Sequence, residues 1–177
     1  CSGARSGKIQ GRLGLQLYPL RDSIPTDPRG VLKRVADFGY KELETYSYED
    51  GKIFGMNFPD FGQYVKGLGM EVVSGHYGLN QAKSDAWEKA ISDAKGIGQK
   101  YMIVPYLEDG ERKTIDDYKR VCEYLNKAGE ACNAQGIRFG YHNHAFEFEK
   151  LEGEVPFGVM LAELTPDIVE KIQSFAV

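Results

Sequence analysis

Two of the three histidines in the chain lie two residues apart, at His142 and His144. They follow a short apolar segment that predicts a β-strand, and residues i and i+2 of a strand face the same side. The two imidazoles can therefore converge on one point while Asn143 faces away. Glu147 and Glu149 come directly after them, although both have an alternative interpretation as surface residues beyond the strand. Paired imidazoles near carboxylates are typical of a metal site or of an acid–base site.

The composition is that of an ordinary folded domain. A chain of 177 residues is long enough for one domain with a hydrophobic core and too short for two. Its 22 basic and 26 acidic residues give a net charge of −4. No basic run is interleaved with aromatic residues, so nucleic acid is not an expected partner. No stretch of the sequence has the apolar length needed to span a bilayer.

The three cysteines have two different interpretations. Cys122 and Cys132 lie on one predicted helix, where they point to different faces and are expected to be buried small hydrophobic residues. Cys1 begins a Cys-Ser-Gly-Ala segment that resembles the mature end of a bacterial lipoprotein. A lipid anchor at Cys1 would place the protein in the periplasm or on a membrane, and the alternative is an arbitrary chain boundary and a cytoplasmic location. We therefore divide the chain into a flexible N-terminal segment, 1–11, and a folded domain, 12–177.

A pattern of helix, glycine and strand recurs along the chain. Each helical pattern ends at a glycine, which can supply a left-handed C-cap, and a short apolar strand begins soon after it. The predicted strands cover 13–18, 41–45, 71–76, 101–105 and 137–141. Helices are predicted to begin near Pro28, Pro59, Ser84 or Asp85, Thr114 and Thr165.

This alternation predicts a parallel sheet with right-handed crossovers. A doubly wound sheet and a barrel of the TIM type both fit, but no Gly-x-Gly-x-x-Gly loop follows the first strand, which disfavours a dinucleotide-binding fold. We therefore predict an α/β fold of the (β/α) TIM-barrel type. A complete barrel has eight βα units in about 250 residues, whereas this chain offers about five and a final helix. The barrel is thus predicted to be truncated, with unpaired strand edges and weak independent stability.

Alternation along the predicted strands brings polar side chains to one end of the barrel. The residues expected to face the axis at the strand C-termini are Tyr18, Glu44, His76, His142 and His144. That end is the catalytic face of such barrels. Each residue also has a structural alternative: His76 as a loop histidine, Glu44 as a solvated strand end, and Tyr18 with Arg21 as residues that fix a loop. The paired histidines are the strongest functional candidates, because burying two imidazoles costs desolvation.

Four segments of the chain resemble one known family. They read Gly14-Leu-Gln-Leu-Tyr-Pro-Leu-Arg21, Gly39-Tyr-Lys-Glu-Leu-Glu44, Ser74-Gly-His76 and Tyr141-His-Asn-His-x-Phe-Glu147. Together they resemble the sugar phosphate isomerase/epimerase proteins of the xylose-isomerase-like TIM-barrel superfamily. That superfamily also contains apurinic (AP) endonucleases, inosose dehydratases and ketose 3-epimerases. The likeness extends from about Leu13 to the end of the chain.

The resemblance implies a divalent metal (Mn, Zn, Mg or Co) at the strand C-termini, held by residues from strands five to eight. His142 falls where many relatives place a metal-binding glutamate, so His142 and His144 are the expected metal ligands. Pro105 stands where the endonucleases carry a zinc-binding histidine, which together with the acidic charge disfavours cleavage of DNA. Strands six to eight, which would bring the remaining ligands, are expected to be absent.

The resemblance also implies roles for residues on the earlier strands. Glu44, His76 and His144 are the expected catalytic residues, and Tyr18 and Arg21 the expected substrate-binding residues. The implied enzyme acts on a small carbohydrate, with or without a phosphate, by removing a proton next to a carbonyl that a metal polarises. Returning the proton elsewhere gives isomerisation or epimerisation. The alternatives are a lyase on keto-sugars or 3-keto-glycosides and a truncated domain that binds sugar without catalysis; an oligomer is compatible with each.

Overall fold

A computed structural model describes residues 11–170, with only the backbone of 169–170. The predicted lipid anchor at Cys1 and nearly all of the predicted N-terminal segment lie outside this range, so both stay predictions. The strands are β1 (Gly14–Gln16), β2 (Glu42–Thr45), β3 (Lys52–Ile53), β4 (Met56–Asn57), β5 (Glu71–His76), β6 (Tyr101–Val104), β7 (Arg138–Tyr141) and β8 (Val169–Glu170). The α-helices are α1 (Pro28–Asp37), α2 (Phe58–Gly67), α3 (Leu79–Ala82), α4 (Trp87–Gly96), α5 (Ile115–Ala134) and α6 (Pro156–Glu163).

Six of these strands form one parallel sheet in the order β1-β2-β5-β6-β7-β8. Each strand therefore lies beside the next sheet strand along the chain, and the order does not reverse. A doubly wound sheet has a reversal at its switch point, whereas barrel winding has none. The two remaining strands, β3 and β4, form a small antiparallel hairpin between β2 and α2.

Predicted boundary signals are present at the starts of α1 and α5 and at the ends of four helices, whereas α4 has Ala86 at its N-cap instead of the expected Ser84 or Asp85. Asp27 caps α1 by accepting a hydrogen bond of 2.9 Å from the Gly30 N–H. Thr114 and Asp117 form a reciprocal capping box at the start of α5, with N–O distances of 3.1 and 3.0 Å. The glycines that follow the helices have φ values of 95° at Gly39, 75° at Gly69, 83° at Gly98 and 76° at Gly136. This left-handed conformation is the one that the recurring pattern predicted.

The hydrophobic core lies between the sheet and the helices. Trp87 packs in it with 4% of its surface exposed, and its Nε1 donates a 3.1 Å hydrogen bond to the Ala128 carbonyl, which ties α4 to α5. Cys122 and Cys132 are both buried and free, as the sequence predicted, and burial raises the pKa of each thiol to about 12. Among residues 11–170, no helix combines the length and apolar character needed to cross a membrane.

The C-terminal part of the described chain differs from the prediction. Thr165 does not start a helix: the Ile168 N–H bonds to the Thr165 carbonyl in a turn, and β8 then pairs with β7. Thr-Pro-Asp is a turn signal as well as a helix-start signal, which explains the error. No sixth sheet strand was expected, whereas the two residues of β8 add one beside β7.

Helix α6 was not predicted. It has no side-chain N-cap, and it ends at Leu164 in an extended conformation rather than at a glycine. The one signal at its start is Pro156 in the first turn, which the prediction did not use.

Two glycines of α2 provide a test of how this helix packs against Ile97 at the end of α4. A Cβ at Gly62 would lie 2.5 Å from Ile97 Cγ2, whereas a Cβ at Gly67 would have nothing within 4 Å. We expect Gly62→Ala to lower the free energy of unfolding by about 1–3 kcal/mol through overpacking. Gly67→Ala should raise it by about 0.5–1 kcal/mol, because alanine favours the helix. Urea unfolding of both variants checks this, and equal effects would contradict the packing of α2 on Ile97.

Candidate functional site

The candidate site is built where the parallel strands end. Gln16 at the end of β1 lies opposite Glu44 of β2, and Glu44 lies opposite Ser74 of β5. The register shifts between Leu43 and Glu44, and such a bulge re-aims the side chain that follows it. His76 is two residues beyond Ser74 and so shares its face. Strand pairing alone therefore brings Gln16, Glu44 and His76 together.

A cavity of about 670 Å³ opens at these strand ends, and we call it the main cavity. Four of the predicted site residues line it: Tyr18, His76, His142 and His144. Tyr18 belongs to a short 3₁₀ turn that follows β1, so the main cavity is walled by a loop as well as by strand ends. Its size is that of a small-molecule site.

Glu44 and His76 form a close pair at the base of this region. Glu44 Oε1 lies 3.1 Å from His76 Nε2, and the two side chains are only 6% and 11% exposed. The Nε2 atom has no aligned hydrogen-bond partner among residues 11–170, so the contact is an ion-pair distance rather than a well-directed hydrogen bond. On the other side of the ring, Gln16 Nε2 lies 3.5 Å from His76 Nδ1.

The three imidazoles of the chain meet in the main cavity. The His76 and His142 rings meet edge to face at 5.7 Å, although β6 separates their strands. The His142 and His144 rings are stacked at 4.9 Å with 21° between their planes. A metal ion lies in the plane of each imidazole that binds it, and two stacked rings cannot both meet that condition. No three or more His, Cys, Asp or Glu side chains within 11–170 are grouped to hold a metal, so the described residues do not fit the predicted divalent metal.

The ring of His144 is held by aromatic neighbours. Tyr106 meets it edge to face at 5.1 Å, and Phe146 is stacked on it at 5.5 Å with 2° between the planes. The Arg112 guanidinium lies 3.9 Å from the centre of the Phe146 ring, and its Nε donates to the Leu107 carbonyl at 3.0 Å. The loop after β6 thus fixes the segment that carries His144.

Glu147 fixes the backbone of the same segment. It is fully buried, its Oε2 accepts a 2.6 Å hydrogen bond from the His144 N–H, and its Oε1 accepts from the Tyr141 hydroxyl. Burial, with the nearby Glu147 carboxylate, raises the pKa of Tyr141, so this hydroxyl remains a donor. The surface interpretation is therefore wrong for Glu147 and correct for Glu149, which is exposed.

Tyrosine rings form much of the wall of the main cavity. The Tyr48 hydroxyl donates to Asp93 at 2.6 Å, and the Tyr77 hydroxyl donates to Gln99 at 2.7 Å. Burial and the bond to Asp93 raise the pKa of Tyr48 to about 12. Both residues line the main cavity, but they are only 6% and 1% exposed, so their rings belong mainly to the core behind it. The sequence prediction missed both, yet each follows the end of a strand by one to three residues, and that position was the available signal.

Arg21 lies outside the main cavity. It borders a second cavity of about 590 Å³ together with Tyr46 and the hairpin β3–β4. Its guanidinium lies 4.8 Å from the centre of the Tyr18 ring, and its Nη1 donates to the Tyr18 carbonyl at 3.3 Å.

Known proteins resemble this arrangement at the level of structure. No protein-family profile matches the chain, and no curated protein sequence does. A sugar phosphate isomerase/epimerase from Parabacteroides distasonis superposes with a TM-score of 0.80 at 27% identity, over 91% of this chain and 68% of that one. A second such protein from the same organism has a TM-score of 0.80 at 25% identity, over 94% and 66%. D-psicose 3-epimerase from Clostridium cellulolyticum, at 12% identity and a TM-score of 0.63 over 90% and 62%, shares the fold.

These neighbours are the sugar phosphate isomerase/epimerase and xylose-isomerase-like barrel proteins that the sequence resembles, and they confirm the TIM-barrel type of the fold. The chain spans about two thirds of the length of the two Parabacteroides proteins.

The role of Glu147 can be tested against its exposed neighbour. In Glu147→Gln the amide can accept only one of the two hydrogen bonds and turns an NH₂ group toward the other donor. We expect a loss of about 1–3 kcal/mol in the free energy of unfolding. The matched variant Glu149→Gln should change it by less than about 0.5 kcal/mol. Denaturant unfolding measures both, and a Glu147→Gln protein as stable as the parent would contradict this account.

Proposed function

We propose that the chain carries the sugar-binding and proton-transfer part of a carbohydrate isomerase or epimerase. The substrate is a small carbohydrate with a carbonyl, and the reaction begins by removal of the proton on the adjacent carbon. The observation that carries this proposal is the buried Glu44–His76 pair, with N–O distance 3.1 Å, beside a main cavity that His76 lines.

The lining of the main cavity supports a sugar as the ligand. Tyrosine rings suit the apolar C–H faces of a sugar, and a few polar groups suit its hydroxyls. His144 lines the main cavity, and an imidazole can donate a hydrogen bond to, or accept one from, a sugar hydroxyl.

His76 is the proposed acid–base group. Its ring reaches the main cavity, and imidazole is the side chain most often used to move protons near neutral pH. Glu44 contacts His76 but does not line the main cavity, so we propose that it is a positioning residue that orients the imidazole. This changes the role expected from the sequence, where Glu44 was a catalytic residue.

His142 and His144 are proposed to bind oxygen atoms of the substrate near the reacting carbon. Tyr18 is proposed to bind the sugar with its ring, which is 53% exposed. A divalent metal stays a separate prediction, because the described residues alone do not fit one, and no step of the proposal depends on it.

The structural neighbours named above are a sugar phosphate isomerase/epimerase and a 3-epimerase, which favours isomerisation or epimerisation over the alternatives. A lyase would begin with the same proton removal, and the two classes differ only in whether a substituent on the next carbon then leaves. A domain that binds sugar without turnover would bind without exchanging any proton.

Solvent exchange tests the first step directly. The chain is incubated in deuterium oxide with D-fructose, D-psicose or D-tagatose, with and without added Mn²⁺ or Zn²⁺, and NMR follows the proton next to the carbonyl. We expect exchange above the uncatalysed rate for at least one ketose. Binding without exchange would reject proton transfer and leave a sugar-binding domain, and new sugar products or an eliminated fragment would separate isomerase from lyase.

Two variants test the assigned roles. Because general acid–base catalysis contributes about 100-fold or more, we expect His76→Asn to lower the exchange rate by at least that factor and Glu44→Gln to lower it about 10-fold or more through lost orientation of the imidazole. Glu42→Gln is the matched control, since Glu42 lies on the same strand but contacts Arg12 at 3.2 Å. Equal rates in Glu44→Gln and Glu42→Gln, with both proteins folded by circular dichroism, would overturn the role of Glu44.

A further inference from the structure

The second cavity adjoins the main cavity. It has a volume of about 590 Å³, close to that of the main cavity, and Tyr46 and Ser47 line both. Either volume falls in the range of small-molecule sites. A ligand that occupies both cavities would have to pass Tyr46 and Ser47.

An aromatic row runs along the boundary between the cavities. The Tyr18 and Tyr46 rings meet edge to face at 5.3 Å, and Tyr46 meets Phe54 at 5.1 Å. Tyr18 lines the main cavity and Phe54 the second. Tyr18 is exposed and Tyr46 and Phe54 are half-buried, and aromatic rings at such a boundary are suited to stacking against successive sugar rings.

The backbone around the second cavity is strained. Ser47, Asp50 and Phe54 have φ values of 66°, 43° and 48°, in the left-handed region that residues other than glycine rarely adopt. Backbone strain of this kind clusters at ligand-binding sites, where the surrounding structure enforces it. Of the four such residues other than glycine among residues 11–170, three lie in the segment that borders the second cavity, and the fourth, Glu152, precedes α6.

The charges of both cavities argue against a phosphate. Among the described lining residues, the main cavity has neither lysine nor arginine. In the second cavity, Arg21 and Lys52 are balanced by Glu49 and Asp50. A phosphate group is bound by cations in excess of carboxylates, whereas a neutral sugar needs mixed donors and acceptors. The Arg21 guanidinium has five N–H donors, and its bond to the Tyr18 carbonyl uses one of them.

We propose that the two cavities form one elongated site for an uncharged carbohydrate of two units. The unit with the carbonyl occupies the main cavity, and a second sugar occupies the second cavity against Phe54 and Arg21. This inference rests on the proposed function and specifies its substrate class as a glycoside rather than a sugar phosphate. It also gives Arg21 a place in substrate binding, outside the cavity where the reaction occurs.

Calorimetric or NMR titration tests this with matched ligands. D-fructose is compared with the ketose disaccharides turanose, maltulose, lactulose and isomaltulose, and with fructose 6-phosphate. We expect at least one disaccharide to bind at least 10-fold more tightly than fructose, and fructose 6-phosphate to bind no more tightly than fructose. Tighter binding of the phosphate, or equal binding of fructose and all the disaccharides, would overturn the proposal.

Variants of residues that line the second cavity test where the second sugar unit binds. Lys52→Ala, at the lining of the second cavity, should remove at least fivefold of the affinity for the best disaccharide and leave that for fructose within twofold, whereas the exposed Arg34→Ala in α1 should change neither. Arg21→Ala should also weaken binding of the disaccharide, but it removes the contact with the Tyr18 ring and is therefore expected to affect fructose as well. Loss of both affinities alike in Lys52→Ala would contradict a separate second unit. If fructose binds and the disaccharides gain nothing, only this inference fails; if no carbohydrate binds, the proposed function fails with it.

Discussion

Parallel pairing in sequential order is the constraint on which the rest of the structure depends. In a parallel sheet every strand ends at the same edge, so a residue placed one or two positions past a strand end joins a common surface. Gln16, Glu44 and His76 lie on neighbouring strands and reach one another with little help from the loops. His142, beyond β7, then meets His76 across the end of β6, and His144 stacks on His142. The chemistry is thus concentrated at one edge by backbone hydrogen bonds.

That concentration is costly, because the polar groups gathered there are largely removed from water. The buried carboxylates are stabilised in different ways. Glu147 accepts hydrogen bonds from a backbone N–H and a tyrosine hydroxyl, and it supports the segment that carries His144 without facing the main cavity. Glu44 instead contacts a side chain that does face it. A carboxylate whose oxygens both accept hydrogen bonds, such as Glu147, is suited to holding the backbone in place. A carboxylate beside the imidazole of His76 is suited to orienting that imidazole.

Local signals in the sequence were sufficient for five of the six sheet strands and for most helices, because glycine C-caps and polar N-caps act within a few residues. They were insufficient for α6, which has a proline at its start but neither of these caps, and misleading at Thr165, where one set of residues serves a turn as well as a helix. Strand alternation brought Tyr18, His76, His142 and His144 correctly to one cavity. It could not reveal that the rings of His142 and His144 would stack. The orientation of the His144 ring depends on its contacts with Tyr106 and Phe146 in the folded structure, and strand alternation does not specify these.

The two ends of the site differ in how they are built, and this bears on what each can do. The Glu44–His76 end stands on strands whose register is set by the sheet, so its geometry is rigid, as proton transfer requires. The Arg21 end stands on a turn, a short hairpin and strained loop residues. Loops carry specificity on a fixed scaffold, because they tolerate change without disturbing the core. A rigid strand-end site beside a cavity bordered by loops therefore suits one reaction on a common carbonyl-bearing sugar, with selection made through the unit attached to it.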